Sequence, residues 1–313
     1  MAGSRGVVIA ALFANGAIAI LKFFGYLLTQ SPSMLSETYH SISDTGNQVF
    51  LLVGIRYSKK ESSRAHPFGY GKAQFFYSFL VSVLLFGIAG WESLKHGYEA
   101  IVHGGHALGG AVSALGYTFP GWYVNVVILL GAIGFETYAL KKANTELVRQ
   151  IREYEWSGYR EAFRKTSDVT TLTAFTEDTI ALLGAAIALV GVVLSELTGN
   201  EVYDAIGAVC IGLLLMGFAV ALAWENKRLL LGESLPKDVE DRLRTVVKEH
   251  PGVVHVDAFR TVHVGPEEVL VTADISFDSD LGTEELDDDI TQIEEKLRTE
   301  DDRVRHVYIE PEL

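Results

Sequence analysis

Six long apolar segments in the first 224 residues constrain the fold of this chain more than any other feature. Each is close to the roughly 20 residues that an α-helix needs to cross the hydrocarbon core of a bilayer. The connections between them are polar or rich in glycine. We therefore predict six transmembrane helices. They lie at about residues 6–28, 34–57, 73–97, 122–142, 169–196 and 202–224.

Lysine and arginine are unevenly distributed among the connections. They follow the second, fourth and sixth segments, whereas residues 29–33, 98–121 and 197–201 contain none. Short cytoplasmic loops are enriched in these two residue types. We therefore expect a multi-pass protein of the cell membrane with both termini in the cytoplasm.

The chain changes character after residue 235. Residues 236–313 carry 22 of the 40 acidic residues and 9 of the 26 basic ones, so they hold nearly all of the formal net charge of −14. An acidic domain argues against binding to nucleic acid, which requires basic patches. This shift predicts a transmembrane domain over residues 1–230 and a cytoplasmic domain over residues 236–313.

The tail has the pattern of a small α+β domain. Apolar residues recur at helical spacing after Pro236, two alternating stretches flank Gly265 and Pro266, and a second helical stretch and a last strand follow. The predicted order is α-β-β-α-β, a ferredoxin-like arrangement in which two helices cover one face of a sheet. The predicted elements are 237–249, 253–264, 269–277, 284–298 and 304–309.

Two connections are longer than turns. Residues 98–121 are rich in small residues and contain His103 and His106, which suits a solvated external loop. The alternative is a surface that attracts metal ions weakly. Residues 143–167 mix aromatic and charged side chains, which is typical of a helix that lies on the membrane surface.

Ionisable residues inside the predicted spans are the best candidates for function, because they are costly at bilayer depth. His40 and Asp44 lie four residues apart in the second span and therefore share one face of a helix. Together they offer one nitrogen and one oxygen donor to a divalent transition metal. The alternative is that the two side chains pair with other polar groups to hold the helices together.

The fifth span supplies two more candidates, Glu177 and Asp178. If Asp178 faces His40 and Asp44, the site has one nitrogen and two oxygen ligands, and Glu177 or water completes four. Tetrahedral coordination of this kind suits Zn²⁺, and an oxygen-rich variant admits Mn²⁺, Co²⁺ or Fe²⁺. Asn47, one turn beyond Asp44, is a candidate hydrogen-bond partner of the ligands.

Other polar residues in the spans have simpler interpretations. Lys22, Glu92 and Glu136 lie toward span ends, where long side chains reach the membrane surface. Asp204 begins the sixth span and is expected to cap that helix. The single cysteine, Cys210, excludes an internal disulfide framework and a thiolate-cluster metal site.

In these features the chain resembles the cation diffusion facilitators, the family of zinc/proton antiporters. The resemblance rests on His40-xxx-Asp44, the loop from His66 to Lys72, the six spans and the α-β-β-α-β tail. Within the family it is similar to the branch of the ninth mammalian zinc transporter, the mitochondrial zinc exporter, through residues 36–48, 177–184 and 198–204. The resemblance implies a homodimer in which each protomer binds one divalent cation midway through the bilayer, alternates access and exchanges it for protons, with export from the cytoplasm.

The chain departs from the family pattern at three places. Ala174 stands where most members have a fourth ligand, a histidine, and Glu177 points about 100° away from Asp178 on a helix. In the loop, His66 is a possible accessory ligand, but Tyr70 replaces the second histidine that some members have. In the tail, Asp257 and Ala273 replace histidines of the family's paired-metal cluster, so we expect no such cluster and expect His255, His263 and His306 to be structural or solvated.

A rival class is a non-transporting membrane metal sensor or scaffold that acts through its acidic tail. The departures favour it, and the buried His40, Asp44 and Asp178 disfavour it, because a scaffold does not require them. An enzyme is not expected, because the sequence has no nucleophile-and-base arrangement and no glycine-rich phosphate loop. No prosthetic group is expected, and the expected partners are a divalent cation, protons, the bilayer and a second copy of the chain.

Overall fold

The structure is a computed structural model that describes residues 2–104, 112–114, 117–153, 156–165, 169–266 and 268–312. It divides into two compact units. The first contains residues up to Phe50 together with Leu80–Ala223, and the second contains Leu51–Phe79 together with Trp224–Leu313. The second unit therefore includes a polar connection and parts of three helices in addition to the tail.

Long helices dominate the chain before the tail. They are α1 (Ala2–Thr29), α2 (Pro32–Ser58), α3 (Ala73–Leu84), α4 (Trp91–His103), α5 (Gly121–Glu153), the short α6 (Tyr159–Lys165), α7 (Val169–Thr198) and α8 (Val202–Leu231). A π-helical segment, Leu85–Gly90, joins α3 and α4 into one helical stretch. The turn before α2 follows local rules, because Pro32 is the first helical residue and the Ser31 hydroxyl accepts the backbone N–H of Met34.

Four helical stretches among the described residues are long and apolar enough to cross a membrane. These are Ala73–His103, Gly121–Glu153, Ala174–Thr198 and Val202–Leu231. The first helix contributes a shorter apolar stretch, Asn15–Thr29. The second helix is not among the four, because polar residues from Ser36 to Asn47 make it less apolar. The chain is thus a multi-span membrane protein, and the count of six spans stays a prediction.

Two long connections differ from the sequence-based expectation. The helix predicted to end near residue 97 continues to His103, and residues after it form a small hairpin of β1 (Val112–Ala114) and β2 (Tyr117–Phe119). The helix predicted to end near residue 142 continues to Glu153, so only α6 remains of the expected surface helix. The amphipathic residues after residue 142 therefore continue a spanning helix and do not begin a separate surface helix.

Glycines allow close packing of α4 and its π-helical neighbour against α8. A Cβ atom at Gly90 would stand 2.5 Å from Cγ of Met216, and a Cβ atom at Gly97 would stand 2.8 Å from the backbone nitrogen of Val209. From the other side, a Cβ atom at Gly212 would stand 2.7 Å from a backbone nitrogen of α4. Small residues at such positions let membrane helices approach closely.

The tail contains α9 (Lys237–Lys248), β3 (Val253–Gly265), β4 (Glu268–Phe277), α10 (Thr283–Glu300) and β5 (Val304–Glu312). The predicted α-β-β-α-β order is thus found, with a three-stranded sheet in the order β3-β4-β5. β3 and β4 are antiparallel, β4 and β5 are parallel, and α10 supplies the crossover that a parallel pair requires. Alternate residues of β4 are buried. They pack with Leu243 and Val247 of α9 and with Ile293 and Leu297 of α10.

The connection between α2 and α3 packs on this sheet within the second unit. The ring of Phe68 meets those of His306 and Tyr308 edge-on, with centroids 5.6 and 6.4 Å apart. Gly71 lies against the end of β3, where a Cβ atom would stand 2.6 Å from the carbonyl oxygen of Val264. A side chain at residue 71 would therefore require the loop to move away from the sheet.

Candidate metal centre

His40 and Asp44 lie on one face of α2, as their spacing predicts. The distance from His40 Nε2 to Asp44 Oδ2 is 3.5 Å, and the histidine side chain is 2% exposed. Neither ring nitrogen of His40 has a hydrogen-bond partner. Because buried polar groups are nearly always hydrogen-bonded in native proteins, this imidazole has the properties of a group that serves a ligand.

Glu177 and Asp178 lie on α7, opposite α2. The side-chain amide of Asn47, one turn beyond Asp44, donates to Glu177 Oε1. The like charges of Asp44, Glu177 and Asp178 repel one another, so these carboxylates of the two helices lie within electrostatic reach of each other. The candidate nitrogen and oxygen donors are thus divided between two helices.

The ligand set is not drawn together in this arrangement of the helices. Within the described ranges, no group of three or more histidine, cysteine, aspartate or glutamate side chains is close enough to hold a metal ion. The assignment of His40, Asp44, Asp178 and Glu177 as ligands therefore stays a prediction, as does the supporting role of Asn47.

Lys22 corrects one expectation from the sequence, because its side chain does not reach the membrane surface. Its ammonium is buried inside the helical unit and donates to Glu37 Oε2 over 2.7 Å and to Ser41 Oγ over 2.9 Å. Glu136 is also buried. Sequence reasoning gave no role to Glu37, although it precedes His40 by three residues and therefore lies on the same face of α2.

Asp204 corrects a second expectation, because it does not cap α8. Its carboxylate is fully buried and accepts hydrogen bonds from the hydroxyls of Ser31 and Ser33 at the start of α2. The side chain that bonds the first turn of α8 is Asn200, which accepts the backbone N–H of Val202. The local sequence could not show this, since the two serines are more than 170 residues away.

The loop histidine has an aromatic neighbour. The ring of His66 stacks on that of Tyr70, with centroids 4.2 Å apart, and His66 is exposed. Tyr70 also meets Tyr57 edge-on. An accessory metal site at His66 stays a prediction. His103 ends α4, and His106 lies outside the described residues.

The tail histidines at residues 255, 263 and 306 have three different surroundings. His255 is exposed and lies 4.0 Å from Asp257, whose carboxylate accepts a hydrogen bond from Ser276. His306 is the one in contact with Phe68. His263 is half-buried, and burial together with the nearby Arg303 guanidinium lowers its pKa below the ordinary value.

Asp301 and Arg303 form a bidentate ion pair beside His263. Burial alone would raise the pKa of Asp301, but hydrogen bonds from the Arg303 guanidinium and backbone N–H outweigh it and lower this pKa below its usual value. The Asp301 carboxylate in turn raises the pKa of Arg303. A charge pair thus stabilises this corner of the sheet.

Two family models match the chain. The cation efflux transmembrane domain matches residues 8–231, and the cation efflux protein cytoplasmic domain matches residues 235–313. The class that these matches and the fold define is a multi-span helical membrane protein followed by an α/β domain. The chain belongs to the cation efflux family, which confirms the resemblance seen in its motifs.

Individual relatives agree with this assignment. The chain is 30% identical over 276 residues to the human proton-coupled zinc antiporter SLC30A9, mitochondrial, and the match covers 88% of this chain and 46% of the human protein. It is 24% identical over 264 residues to the cation-efflux pump FieF of Klebsiella pneumoniae, covering 84% of this chain and 77% of the pump. The chain thus spans less than half the length of the human relative.

The tail also matches a solved structure, the nickel form of the C-terminal domain of MamM. The identity is 18% and the TM-score is 0.23, and the match covers 25% of this chain and 96% of that domain.

Proposed function

We propose that the chain is a secondary active transporter that moves a divalent transition-metal cation, with Zn²⁺ as its main substrate, across a membrane in exchange for protons. The observation that carries this proposal is the buried His40 imidazole. Both of its nitrogens are free of hydrogen bonds, it lies beside Asp44, and α7 presents two carboxylates opposite.

The donor set supports a transition metal. Imidazole nitrogen with carboxylate oxygens suits Zn²⁺, whereas Mg²⁺ and Ca²⁺ prefer oxygen ligands only. The name of the human relative, a proton-coupled zinc antiporter, supports the same substrate. Mn²⁺, Fe²⁺ and Co²⁺ are the competing substrates, because Ala174 replaces the fourth ligand, which is a histidine in most family members.

Exchange for protons follows from the ligand chemistry. Metal ligands must be deprotonated, so binding of the cation releases protons and rebinding of protons favours its release. His40 is the proposed proton carrier, because an imidazolium must lose a proton before its nitrogen can bind the cation. Carboxylates of α2 and α7 supply negative charge that stabilises a dication away from water. If the two helices separate on one side at a time, the site opens alternately to the two sides.

The proposal includes a homodimer in the cell membrane with both termini in the cytoplasm and export from the cytoplasm. The connections that are rich in lysine and arginine support this orientation. The match to the family's cytoplasmic domain supports a cytoplasmic tail. A transporter of this kind performs no covalent chemistry, in keeping with the absence of catalytic motifs from the sequence.

The test is transport in proteoliposomes that carry a Zn²⁺ indicator and a pH indicator. Wild-type protein is expected to couple Zn²⁺ flux to opposite proton flux. Asp44→Asn and Asp178→Asn are expected to reduce both by about 100-fold or more, since each removes a charged ligand. Glu92→Gln on α4, a partly exposed carboxylate, is the matched control and should retain transport. Zinc binding without flux in wild-type protein would instead support a sensor or scaffold.

A further inference from the structure

Lys22 forms a buried ion pair in the helical unit. Its Nζ donates to Glu37 Oε2 and Ser41 Oγ, and the side chains of Lys22 and Glu37 are 1% and 0% exposed. Removing two charges from water is unfavourable, and their attraction offsets this only when the geometry is good and other hydrogen bonds contribute. A pair at such a position is therefore a candidate for a role in transport.

One carboxylate oxygen of Glu37 is hydrogen-bonded, and the other is not. Oε2 accepts from Lys22, whereas Oε1 is buried and has no hydrogen-bond partner. Oε1 faces α7 at Gly184, where a Cβ atom would stand only 2.5 Å from it. The glycine thus leaves room for an unpartnered carboxylate oxygen between α2 and α7.

Glu37 and Gly184 lie on the same helix faces as the candidate ligands of α2 and α7. Glu37, His40 and Asp44 follow one another at intervals of three and four residues, which places them on one face of α2. Gly184 follows Glu177 by seven residues, so these two positions share one face of α7. The charge of Lys22 also interacts with Asp44 and Glu136.

We infer that Lys22 is a specificity-determining residue of the proposed transport site: its ammonium is a tethered cation that occupies Glu37 and keeps that carboxylate from coordinating the transported cation. The inference rests on the proposed transport function. Without Lys22, the site would gain another carboxylate oxygen beside His40 and Asp44. Oxygen-rich sites suit Mn²⁺, and mixed nitrogen-and-oxygen sites suit Zn²⁺. Lys22 therefore maintains the preference of the site for Zn²⁺ over Mn²⁺.

The first experiment compares Mn²⁺ and Zn²⁺ transport in proteoliposomes for the wild type, Lys22→Met and the double variant Lys22→Met with Glu37→Gln. In Lys22→Met, the ratio of kcat/KM for Mn²⁺ to that for Zn²⁺ is expected to rise by about tenfold, since a charged oxygen ligand becomes available. In the double variant the ratio is expected to return to the wild-type value, because the freed carboxylate is removed.

A second experiment remains informative if Lys22→Met does not fold. Glu37→Gln leaves the ammonium without its carboxylate close to Asp44, where it repels the incoming dication. The KM for Zn²⁺ is expected to rise by about tenfold and to fall again in the double variant, which carries no charge at either position. A pair with a purely structural role would alter expression and turnover without this reversal in KM.

Three outcomes contradict the inference: an unchanged metal ratio in Lys22→Met, a ratio that rises equally in the double variant, or an unchanged KM in Glu37→Gln. Absence of cation flux in wild-type protein is a different result, because it rejects the proposed function itself. Lys22→Arg, which keeps the tethered charge, serves as the control and should keep the wild-type metal ratio.

Discussion

Asn47 on α2 donates a hydrogen bond to the carboxylate of Glu177 on α7, and this bond joins the two helices that carry the candidate ligands. Glu177 points about 100° away from Asp178 on an ideal helix. Because Asn47 lies one turn beyond Asp44, it fixes where Glu177 stands relative to the α2 ligands. We therefore expect Asn47 to influence whether Glu177 can act as the ligand that Ala174 does not provide.

Replacing Asn47 by alanine tests this role. Asn47→Ala is expected to raise the KM for Zn²⁺ by about 10- to 100-fold, the range observed when a hydrogen-bond partner of a metal ligand is lost. Thr45→Ala is the control, because the Thr45 hydroxyl donates to a carbonyl of its own helix. Zinc uptake into proteoliposomes at fixed pH gives both values. Equal KM values for the two variants would mean that Asn47 does not position a ligand.

The Asp204 carboxylate gives a stability prediction for the helical unit. Ser33→Ala removes one of its two serine donors from a buried site, and a hydrogen bond to a charged group contributes about 2 kcal/mol. Ser36→Ala is matched in burial, but its hydroxyl donates only to the Pro32 carbonyl within α2. Unfolding in mixed detergent micelles should show a loss for Ser33→Ala about twice that for Ser36→Ala or more.

Much of the fold could be predicted because its signals are local. The tail's strands alternate in burial as their sequence does, and α2 begins at a serine followed by proline. The end of α4 lies beyond the predicted residue because the small residues that follow it are typical of a loop. The end of α5 lies beyond the predicted residue because charged residues at the end of a spanning helix resemble the start of a surface helix. Local sequence does not distinguish these two cases.

The candidate site also has features that the sequence predicts and features that it does not. The face shared by His40 and Asp44 follows from helical spacing, so the sequence alone could predict it. The partners of Lys22 and Asp204 could not be predicted, because Glu37 is 15 residues from Lys22 and the serines are far from Asp204. Long polar side chains near span ends usually reach water. Only the tertiary structure shows that these two are buried with partners.

The tail is expected to lose stability in acid through His263. Its folded pKa lies below the ordinary value near 6.5. As pH falls through the ordinary value, the unfolded chain takes up a proton that the folded domain excludes, so the free energy of unfolding decreases. Asp301 affects the free energy of unfolding at lower pH. Its folded pKa is depressed, so its contribution is full above the ordinary value near 3.8 and is lost as pH falls through the folded pKa.

Denaturant unfolding of residues 235–313 between pH 5 and 8 measures the His263 effect, since this segment builds its core from its own residues. His263→Gln should flatten the curve over this range. His255→Gln, at an exposed position on the same strand, should leave the slope unchanged. A curve that is flat in the wild type would show that protonation of His263 is not linked to folding.

Two glycines in the third helical stretch are expected to respond oppositely to the same substitution. A Cβ atom at Gly97 would overlap the backbone of α8 at Val209, whereas one at Gly87 would meet nothing within 4 Å. Gly97→Ala should therefore force α4 and α8 apart and destabilise the protein by about 1–3 kcal/mol. Gly87→Ala should be neutral or stabilising by up to about 1 kcal/mol, because alanine restricts the unfolded chain. Unfolding of both variants in the same detergent makes the comparison, and a loss of similar size at Gly87 would show that helix contacts do not set the difference.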